Sequence, residues 1–191
     1  MIRAIKIELL PMQFKIIAAQ DLNTQQRQQI AELCFAAFDE DPWSQYTFMQ
    51  NAVHIVGILD DNIVSHALWT DRVFTINGNF TVKTAYVEYV TTDYHMRGKG
   101  LASQLLRYLT DILTTLDYEL AALQPEDGAF YKKLDWIPWW GDLYIKQGAS
   151  TYLTDDNQIM LFPLSANLKE RLSQHSEENT ICADWREGEL W

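Results

Sequence analysis

Cysteine is scarce in this 191-residue chain, which contains only Cys34 and Cys182, far apart and in apolar surroundings. Disulfide frameworks and cysteine-based metal sites use several cysteines at short spacings such as CxxC, and no such spacing occurs here. The histidines also lack the spacing of metal ligands. We therefore expect two reduced, buried thiols and no metal cofactor.

Basic residues are outnumbered as well. The chain has 15 Lys and Arg against 26 Asp and Glu, which gives a formal net charge of −11. Nucleic acids and anionic membranes attract clustered Lys and Arg, so this composition argues against both as partners. The excess of carboxylates favours a cationic substrate.

Long apolar runs are missing too. No span approaches the roughly 20 apolar residues that a membrane helix needs. Lys6, Glu8 and Pro11 interrupt the opening segment before a secretory apolar region of adequate length develops. We expect a cytoplasmic protein in which residues 1–11 can form an extension outside the fold.

The sequence does contain many hydrophobic residues, distributed along its whole length. Hydrophobic residues make up 48% of the chain, and no repeat or low-complexity tract interrupts them. This length and composition are typical of one ordered domain with a sizeable core. We predict a single domain over residues 1–191.

The order of hydrophobic patterns predicts a mixed α+β fold. A helix capped by Asn23 or Thr24 comes first, and hairpin turns follow at 60–62 and 77–78. Leucines at the helical period predict a long helix over about 98–116. The predicted order is helix, three antiparallel strands, one further strand, crossover helix, strand, helix and two strands, which together form a mixed sheet.

The segment YHMRGKGLASQLLRYL, residues 94–109, joins a predicted strand to the long helix. Two stronger phosphate motifs fail here: GxGxxG lacks its third glycine because Ser103 occupies that position, and GxxxxGK[ST] is absent. What remains is RxxGxA, formed by Arg97, Gly98, Lys99, Gly100, Leu101 and Ala102.

The chemistry of this loop suits an anion. Small residues at the start of a helix let successive backbone N–H groups converge on a ligand, and the helix dipole adds partial positive charge. Arg97 and Lys99 add full charges. The alternative is a solvated turn in which the glycines only permit tight geometry, but the position between a strand and a long amphipathic helix favours a diphosphate.

The RxxGxA loop resembles motif A of the GNAT superfamily of acetyl-CoA-dependent N-acetyltransferases, in which it holds the diphosphate of coenzyme A. The resemblance covers roughly Phe14 to Trp191, and beyond motif A it is to the aminoglycoside 2′-N-acetyltransferases. It is carried by VEYV, FYKKLDWIPWWG, DDNQIMLFPL and above all the ending CADWREGELW. This ending is far more specific than motif A, which a vast superfamily shares.

The resemblance implies the GNAT fold, a central, mostly antiparallel mixed sheet with a splayed pair of strands 4 and 5 and helices on both faces. It implies acetyl-CoA as the cofactor. Carried over residue by residue, Val90, Thr91 and Thr92 would line the pantetheine arm, and the N–H of Val90 would face the thioester oxygen.

Two residues are candidates for proton transfer. Glu88 is a charged residue inside AYVEYV, and a carboxylate within a sheet is costly unless it meets a partner or a site. It is either an edge glutamate facing solvent or a base that takes the proton from the substrate ammonium through water.

The resemblance implies that Tyr131 protonates the departing thiolate, which suits a phenol with an ordinary pKa of about 10. Packing in the core beside Phe130 is the alternative, and we expect one of these two rings to point inward and the other toward the site.

The resemblance also implies an acidic acceptor pocket. Its members would be Asp41, Glu88, Tyr89, Gln124, Asp155, Glu189 and Trp191 with its terminal carboxylate. Asp156 competes with Asp155 for this position, although Asp155 aligns better. Each acid taken alone also fits an ordinary solvated surface charge.

The sequence departs from the family around the acceptor. Gln124 and Pro125 follow the short strand where a small hydroxyl residue is common. Asn51 and Ala52 replace a glycine pair, and Trp140 stands where relatives have histidine. Acetyl transfer is therefore better supported than aminoglycoside specificity.

Three functions stay open on the sequence. The first is direct transfer from acetyl-CoA, in a ternary complex, to the 2′-amine of an aminoglycoside, an activity of the antibiotic-resistance type. The second is the same reaction on another small amine, such as a polyamine, an amino sugar or a peptide N-terminus. The third is a non-catalytic acyl-CoA-binding protein, but the presence of Glu88 and Tyr131 argues against it.

The Pro- and Trp-rich segment 136–145 is either a homodimer interface or core.

Overall fold

The computed structural model describes residues 12–45, 47–154, 158–173, 178–187 and 191. The proposed extension at 1–11 lies outside the described residues. The helices are α1 (Thr24–Phe38), α2 (Pro42–Gln45), α3 (Leu101–Leu113), α4 (Gly128–Lys132) and α5 (Ala166–Ser173). The strands are β1 (Gln13–Ala18), β2 (Val53–Leu59), β3 (Asn62–Ile76), β4 (Phe80–Thr92), β5 (Leu120–Leu123), β6 (Ile137–Pro138), β7 (Asp142–Gln147), β8 (Ser150–Leu153), β9 (Met160–Pro163) and β10 (Thr180–Asp184).

Within the described residues, all ten strands belong to one sheet. Its main order is β6-β9-β5-β4-β3-β10-β7-β8, and β1 and β2 continue from the first half of β3. The parallel pairs are β4 with β5 and β10 with β7, while the other pairs are antiparallel. The predicted mixed, mostly antiparallel sheet is therefore confirmed.

Local sequence signals explain where α1 begins and ends. The side chain of Asn23 accepts the N–H of Gln26, whose own side chain accepts the N–H of Asn23 in return, a capping box. The helix ends at Asp39, which adopts a left-handed conformation with φ of 58°. Asn23 is thus the cap, rather than Thr24.

Both predicted hairpin turns are confirmed. Asp60 and Asp61 have φ values of 49° and 63°, and Asn77 and Gly78 have values of 51° and 69°. Two consecutive left-handed residues match the right-handed twist of the flanking strands, and Asp, Asn and Gly tolerate this conformation best.

Helices cover both faces of the sheet, as expected. The leucines of α3 pack with Ile55 of β2 and Val87 of β4, whereas Ile30 and Leu33 of α1 pack with Val56. Because Ile55 and Val56 are neighbours in one strand, they face opposite sides of the sheet. The core is therefore built in two layers, one under each helix.

Several predicted boundaries were wrong. Helix α3 is shorter than 98–116: Gly98 and Gly100, with φ of 75° and 77°, form the preceding turn. At the other end, the hydroxyls of Thr114 and Thr115 donate to carbonyls three residues back and compete with helix propagation. Three strands, not four, lie between α1 and α3, and β1, β8 and α5 were not predicted.

Both cysteines are free thiols, but only Cys34 is fully buried, since Cys182 is partly exposed. Within the segment 136–145, Trp136 and Trp139 belong to the core, whereas Trp140 is exposed. No helix within the described ranges is both long enough and apolar enough to cross a bilayer. Likewise, no three His, Cys, Asp or Glu side chains among the described residues are grouped in a way that would hold a metal ion.

Candidate active site

The central feature of the site is a gap between β4 and β5. These parallel strands pair only from Thr84 to Tyr86 of β4, opposite Leu120 to Ala122 of β5, although β4 continues to Thr92. Among the described strands, none pairs with the second half of β4 on its β5 side. Its backbone N–H and C=O groups on that side are left to bind other groups.

A bulge in β4 lies at the same place. Glu88 pairs with Leu68 of β3 and Thr91 pairs with His66, so Tyr89 and Val90 together lie opposite the single residue between these partners. Tyr89 has a left-handed backbone with φ of 52°. A bulge with a left-handed first residue bends its strand, and here the bend occurs where β4 leaves β5.

The gap opens into a cleft of about 1130 Å³. Its walls are the end of α1, the second half of β4, the segment from β5 through α4, and the start of α3. Ligand pockets commonly measure about 300–1,000 Å³. The cleft is therefore large enough for a cofactor and an acceptor together.

One end of the cleft lies beside the glycine turn that precedes α3. Gly98 and Gly100 have left-handed backbones, and a Cβ added to either would meet no heavy atom within 4 Å among the described residues. Gly100 caps α3 without a side-chain hydrogen bond, so no side chain competes for the first N–H groups of the helix. Arg97 and Ala102 line the cleft beside this turn. An anion placed here would meet backbone donors, a helix dipole and a guanidinium.

The remaining motif residues lie around this turn. Thr92 accepts a hydrogen bond from Nε of Arg97 through its carbonyl, at 3.3 Å. Lys99 is exposed, and its Nζ lies 3.2 Å from the sulfur of Met96. Leu101 is buried and anchors α3 to the core.

Glu88 lines the cleft, yet it is not an isolated carboxylate. Nη2 of Arg186 lies 2.6 Å from its Oε1, Nη1 of Arg186 lies 2.9 Å from its Oε2, and the hydroxyl of Thr70 donates to Oε2 at 3.4 Å. The side chains of Glu88 and Arg186 are only 11% and 12% exposed. A carboxylate offers about four acceptor positions, and the contacts within the described part of the chain leave one on Oε1.

Tyr131 also lines the cleft, on α4. Burial, followed by the nearby charges of Asp127 and Glu126, raises the pKa of its phenol to about 12. The phenol is therefore protonated throughout the ordinary pH range. The expectation that only one of Phe130 and Tyr131 faces the site was wrong, because both rings line the cleft and both pack on the core.

The acidic side of the cleft differs in part from the predicted set. Glu40 lines the cleft and accepts a hydrogen bond from the phenol of Tyr89 at 3.2 Å, and Gln124 also lines the cleft. Asp41, next along the chain, is exposed and its Oδ1 accepts the N–H of Trp43. The acids of the described lining are Glu40, Glu88, Glu126 and Asp127. The predicted Asp155 and Glu189, and the competing Asp156, lie outside the described residues.

Trp191 is both a lining residue and a core residue. It is only 4% exposed, its indole N–H donates to the hydroxyl of Thr154 at 3.0 Å, and its ring meets Phe74 edge-on at 5.7 Å between centroids. Arg72 lies over the same ring at 5.7 Å. The ring of this tryptophan is therefore held by several contacts where it lines the cleft.

Sequence reasoning missed two arginines of the site. Arg186 pairs with Glu88, and Arg72 donates to the carbonyl of Asp184 at 2.8 Å. Their guanidinium carbons lie 5.2 and 5.0 Å from the ring centre of Tyr86. Burial, with the charge of Arg186 second, lowers the pKa of Arg72 to about 10. Arg186 belongs to the ending CADWREGELW. The sequence could have suggested this pair, because a carboxylate within a strand needs a partner and Arg186 has the opposite charge.

Comparisons with known proteins agree with this geometry. A family model described as an acetyltransferase (GNAT) domain matches residues 15–138, which is more than half of the chain. The chain belongs to the GNAT acetyltransferase family. Its members are acetyl-CoA-dependent N-acetyltransferases, and acetyl-CoA is the cofactor. Among curated proteins, none matches the chain in sequence.

Solved structures share the fold at low identity. YhbS from Escherichia coli, a GNAT family N-acetyltransferase solved in complex with CoA, has a TM-score of 0.62 and 14% identity, covering 93% of this chain and 91% of its own. ElaA from Escherichia coli has a TM-score of 0.57 and 17% identity, covering 79% and 98%. An acyl-CoA N-acyltransferase from Pseudomonas aeruginosa has a TM-score of 0.54 and 16% identity, covering 79% and 97%.

Proposed function

We propose that this enzyme moves the acetyl group of acetyl-CoA to the amine of a small cationic acceptor, by direct transfer while both are bound. The observation that carries the proposal is the charge of the cleft. Its diphosphate end contains Arg97 and the uncapped start of α3, and the described acids of its lining lie along β4, at the end of α1 and before α4. An anionic donor and a cationic acceptor are thereby attracted to different parts of one cleft.

Binding of the cofactor is assigned to three groups of the chain. The N–H groups of Leu101 and Ala102 and the side chain of Arg97 would hold the diphosphate, and the unpaired edge of β4 from Val90 to Thr92 would hold the pantetheine arm. The bound cofactor supplies an acetyl group activated as a thioester. Tyr86, Phe130 and Trp191 line the cleft and limit access of water.

Removal of a proton from the acceptor is assigned to Glu88. A protonated amine carries no lone pair for attack, so the acceptor must lose a proton in the cleft. The free acceptor position on Oε1 of Glu88 can take this proton through one water molecule. Arg186 fixes the carboxylate plane and keeps that position directed at the cleft.

Two further groups are assigned to the transfer itself. The N–H of Val90 donates to the thioester oxygen, where negative charge develops. The phenol of Tyr131 donates its proton to the departing thiolate. With a pKa of about 12, this phenol holds its proton until the leaving group takes it.

The finer proposal for the acceptor is the 2′-amine of an aminoglycoside. It is supported by the resemblance of the ending CADWREGELW and by the acidic lining. Polyamines, amino sugars and peptide N-termini are the competing acceptors.

Release of the CoA thiol from acetyl-CoA, measured with a panel of acceptors, tests both levels of the proposal. The panel contains aminoglycosides with a 2′-amine, aminoglycosides with a 2′-hydroxyl, a polyamine, an amino sugar and a peptide. A higher rate with 2′-amino than with 2′-hydroxy aminoglycosides supports the finer proposal. Turnover of neutral or acidic peptides alone would overturn the cationic acceptor.

A matched pair of variants tests the acidic lining. Glu40→Gln removes one carboxylate from the cleft and should raise the acceptor KM about fivefold, which corresponds to about 1 kcal/mol. Asp117→Asn removes a fully exposed carboxylate outside the described lining and should leave the KM unchanged. Equal effects of the two variants would show that only net charge matters.

A further inference from the structure

Two buried histidines contact each other directly behind the bulge of β4. Nδ1 of His54, on β2, lies 2.9 Å from Nε2 of His66, on β3. Nδ1 of His66 lies 3.1 Å from the carbonyl oxygen of Tyr89. Neither imidazole is exposed to solvent. The pair therefore connects two strands to the residue of β4 at which the bulge forms.

The partners of the two rings determine where their protons lie. A carbonyl oxygen only accepts, so Nδ1 of His66 donates to Tyr89 at 3.1 Å. The thiol of Cys34 lies 3.9 Å from the same nitrogen and is at most a weak second acceptor. Burial lowers the pKa of His54 to about 4 and that of His66 well below its ordinary value, so both rings are neutral at pH 7. A neutral His66 with its proton on Nδ1 accepts at Nε2, and His54 donates to it from Nδ1.

The far nitrogen of His54 agrees with this assignment. Among the described residues, Nε2 of His54 is buried and has no hydrogen-bond partner. In the tautomer just assigned, this nitrogen carries a lone pair and no proton. Buried N–H groups are the polar groups least often left without a partner, so the opposite tautomer would be the costlier one.

Tyr89 is held in a backbone conformation that bulky residues avoid. Its φ of 52° lies in the left-handed region, and the first position of such a bulge is usually glycine. The carbonyl accepts from His66, and the phenol donates to Glu40 at 3.2 Å. The ring of Phe38 meets the Tyr89 ring edge-on at 5.6 Å. The residue is thus fixed at both its backbone and its side chain.

The carbonyl of Tyr89 and the N–H of Val90 belong to one peptide group. This group is planar, and its C=O and N–H point in opposite directions. A donor that fixes the carbonyl on one side therefore fixes the direction of the N–H on the other. It also polarises the peptide and strengthens the N–H as a donor.

We propose that His66 is a positioning residue for acetyl transfer, which holds the Tyr89–Val90 peptide so that the Val90 N–H points at the thioester oxygen. His54 acts one step further back, because its donation to Nε2 keeps the His66 proton on Nδ1. This inference rests on the proposed role of the Val90 N–H in the transfer.

The tautomers can be read directly in the intact protein. Imidazole ¹⁵N chemical shifts distinguish a protonated from an unprotonated ring nitrogen, and the wild-type protein suffices for this measurement. We expect both His54 and His66 to be neutral with the proton on Nδ1 at pH 7. A His66 ring protonated only on Nε2 would overturn the proposal, whatever the variants do.

The consequence for the thioester is tested with two variants of His66. His66→Leu removes the imidazole donor to the Tyr89 carbonyl, whereas the amide nitrogen of His66→Asn stands near the position of Nδ1. Infrared difference spectra with acetyl-CoA carrying ¹³C at the thioester carbonyl report the hydrogen bond to that oxygen. We expect a lowered carbonyl frequency in the wild type, a smaller lowering in His66→Leu and recovery in His66→Asn.

The outcomes separate this inference from the proposed function. No frequency change in the wild type would overturn the role of the Val90 N–H. A full change retained in His66→Leu would overturn the positioning role of His66 alone.

Kinetics supply an independent readout of the same variants. His66→Leu should lower kcat about tenfold or more while the KM for acetyl-CoA stays within about twofold, and His66→Asn should recover most of the loss. A purely structural role would lower thermal stability in both variants without this division between kcat and KM, and that pattern would also contradict the proposal.

Discussion

Glu88, which lines the cleft, forms a two-point ion pair with Arg186, with nitrogen-to-oxygen distances of 2.6 and 2.9 Å. Paired guanidinium and carboxylate planes of this kind are stronger and more directional than single contacts. The pair fixes the carboxylate assigned as the base, and its near-burial limits competition from solvent. Stability and chemistry therefore depend on the same two side chains.

Breaking the pair from one side should be costly. Arg186→Met leaves the Glu88 charge in a nearly buried position, and we expect the free energy of unfolding to fall by about 3 kcal/mol. The double variant Glu88→Gln/Arg186→Met should lose much less than the sum of the single variants. Urea denaturation of the four proteins measures this coupling, and the exposed Arg107→Met serves as a control. Additive losses would show that the two residues are not coupled.

The glycine turn offers a matched comparison between strain and function. Gly100 and Gly78 have φ values of 77° and 69°, and a Cβ at either meets nothing within 4 Å among the described residues. Alanine at either position should therefore cost about 1 kcal/mol of stability by backbone strain alone. Only Gly100→Ala should also weaken CoA binding, by about tenfold, because only this turn lies at the proposed diphosphate site. Isothermal titration with CoA checks this, and equal affinities of the two variants would remove Gly100 from the cofactor site.

Tyr131→Phe should lower kcat by about 100-fold or more while the KM for acetyl-CoA stays nearly constant. Because the pKa of Tyr131 is raised to about 12, the phenol stays protonated below that pH, and its ionisation should cause no loss of rate between pH 7 and 10. Tyr118→Phe is the control, since the pKa of Tyr118 is also raised to about 12 but its hydroxyl bonds to Asp71 and Trp69. Steady-state kinetics decide the matter, and an unchanged kcat in Tyr131→Phe would exclude the phenol as proton donor.

Acid should destabilise the protein partly through His54. Its pKa is lowered to about 4 by burial and then by Arg27, whereas in the unfolded chain it is about 6.5. The stability that follows from neutral His54 is therefore present above pH 6.5 and is lost as the pH falls through 4. We expect His54 to account for a decrease of about 3 kcal/mol between pH 7 and 4.

Unfolding measured against pH tests the contribution of His54. His54→Leu should flatten the acid limb of the stability curve, whereas His95→Gln, which changes an exposed histidine, should not. An unchanged acid limb in His54→Leu would assign the loss to other groups.

Much of the fold was predictable because its signals are local. The helix cap, predicted at Asn23 or Thr24 and found at Asn23, and the turns predicted at 60–62 and 77–78 depend on residues adjacent in the chain. The α+β class followed from the order of periodic segments. Strand β8 was missed because its four residues are exposed, so no apolar alternation marks it.

The site was predictable only in part, for a related reason. The loop from Arg97 to Ala102 is contiguous, so its residues are brought together by local backbone geometry alone. Glu40 lines the cleft where Asp41 was predicted, and the left-handed Asp39 ends α1 just before them. No periodic pattern extends through such a turn.

By itself, the sequence determined the fold class and the glycine turn before α3, since a contiguous motif specifies its own conformation, and its resemblance to the GNAT superfamily identified acetyl-CoA as the donor. Only the tertiary structure decided that Glu88 meets Arg186 and that His54 and His66 support Tyr89. These contacts depend on strand register, and one extra residue at a bulge reverses which side chains face the cleft. The bulge at the left-handed Tyr89 sets that register. A tyrosine does not predict such a bulge from sequence, because glycine is the usual residue at this position.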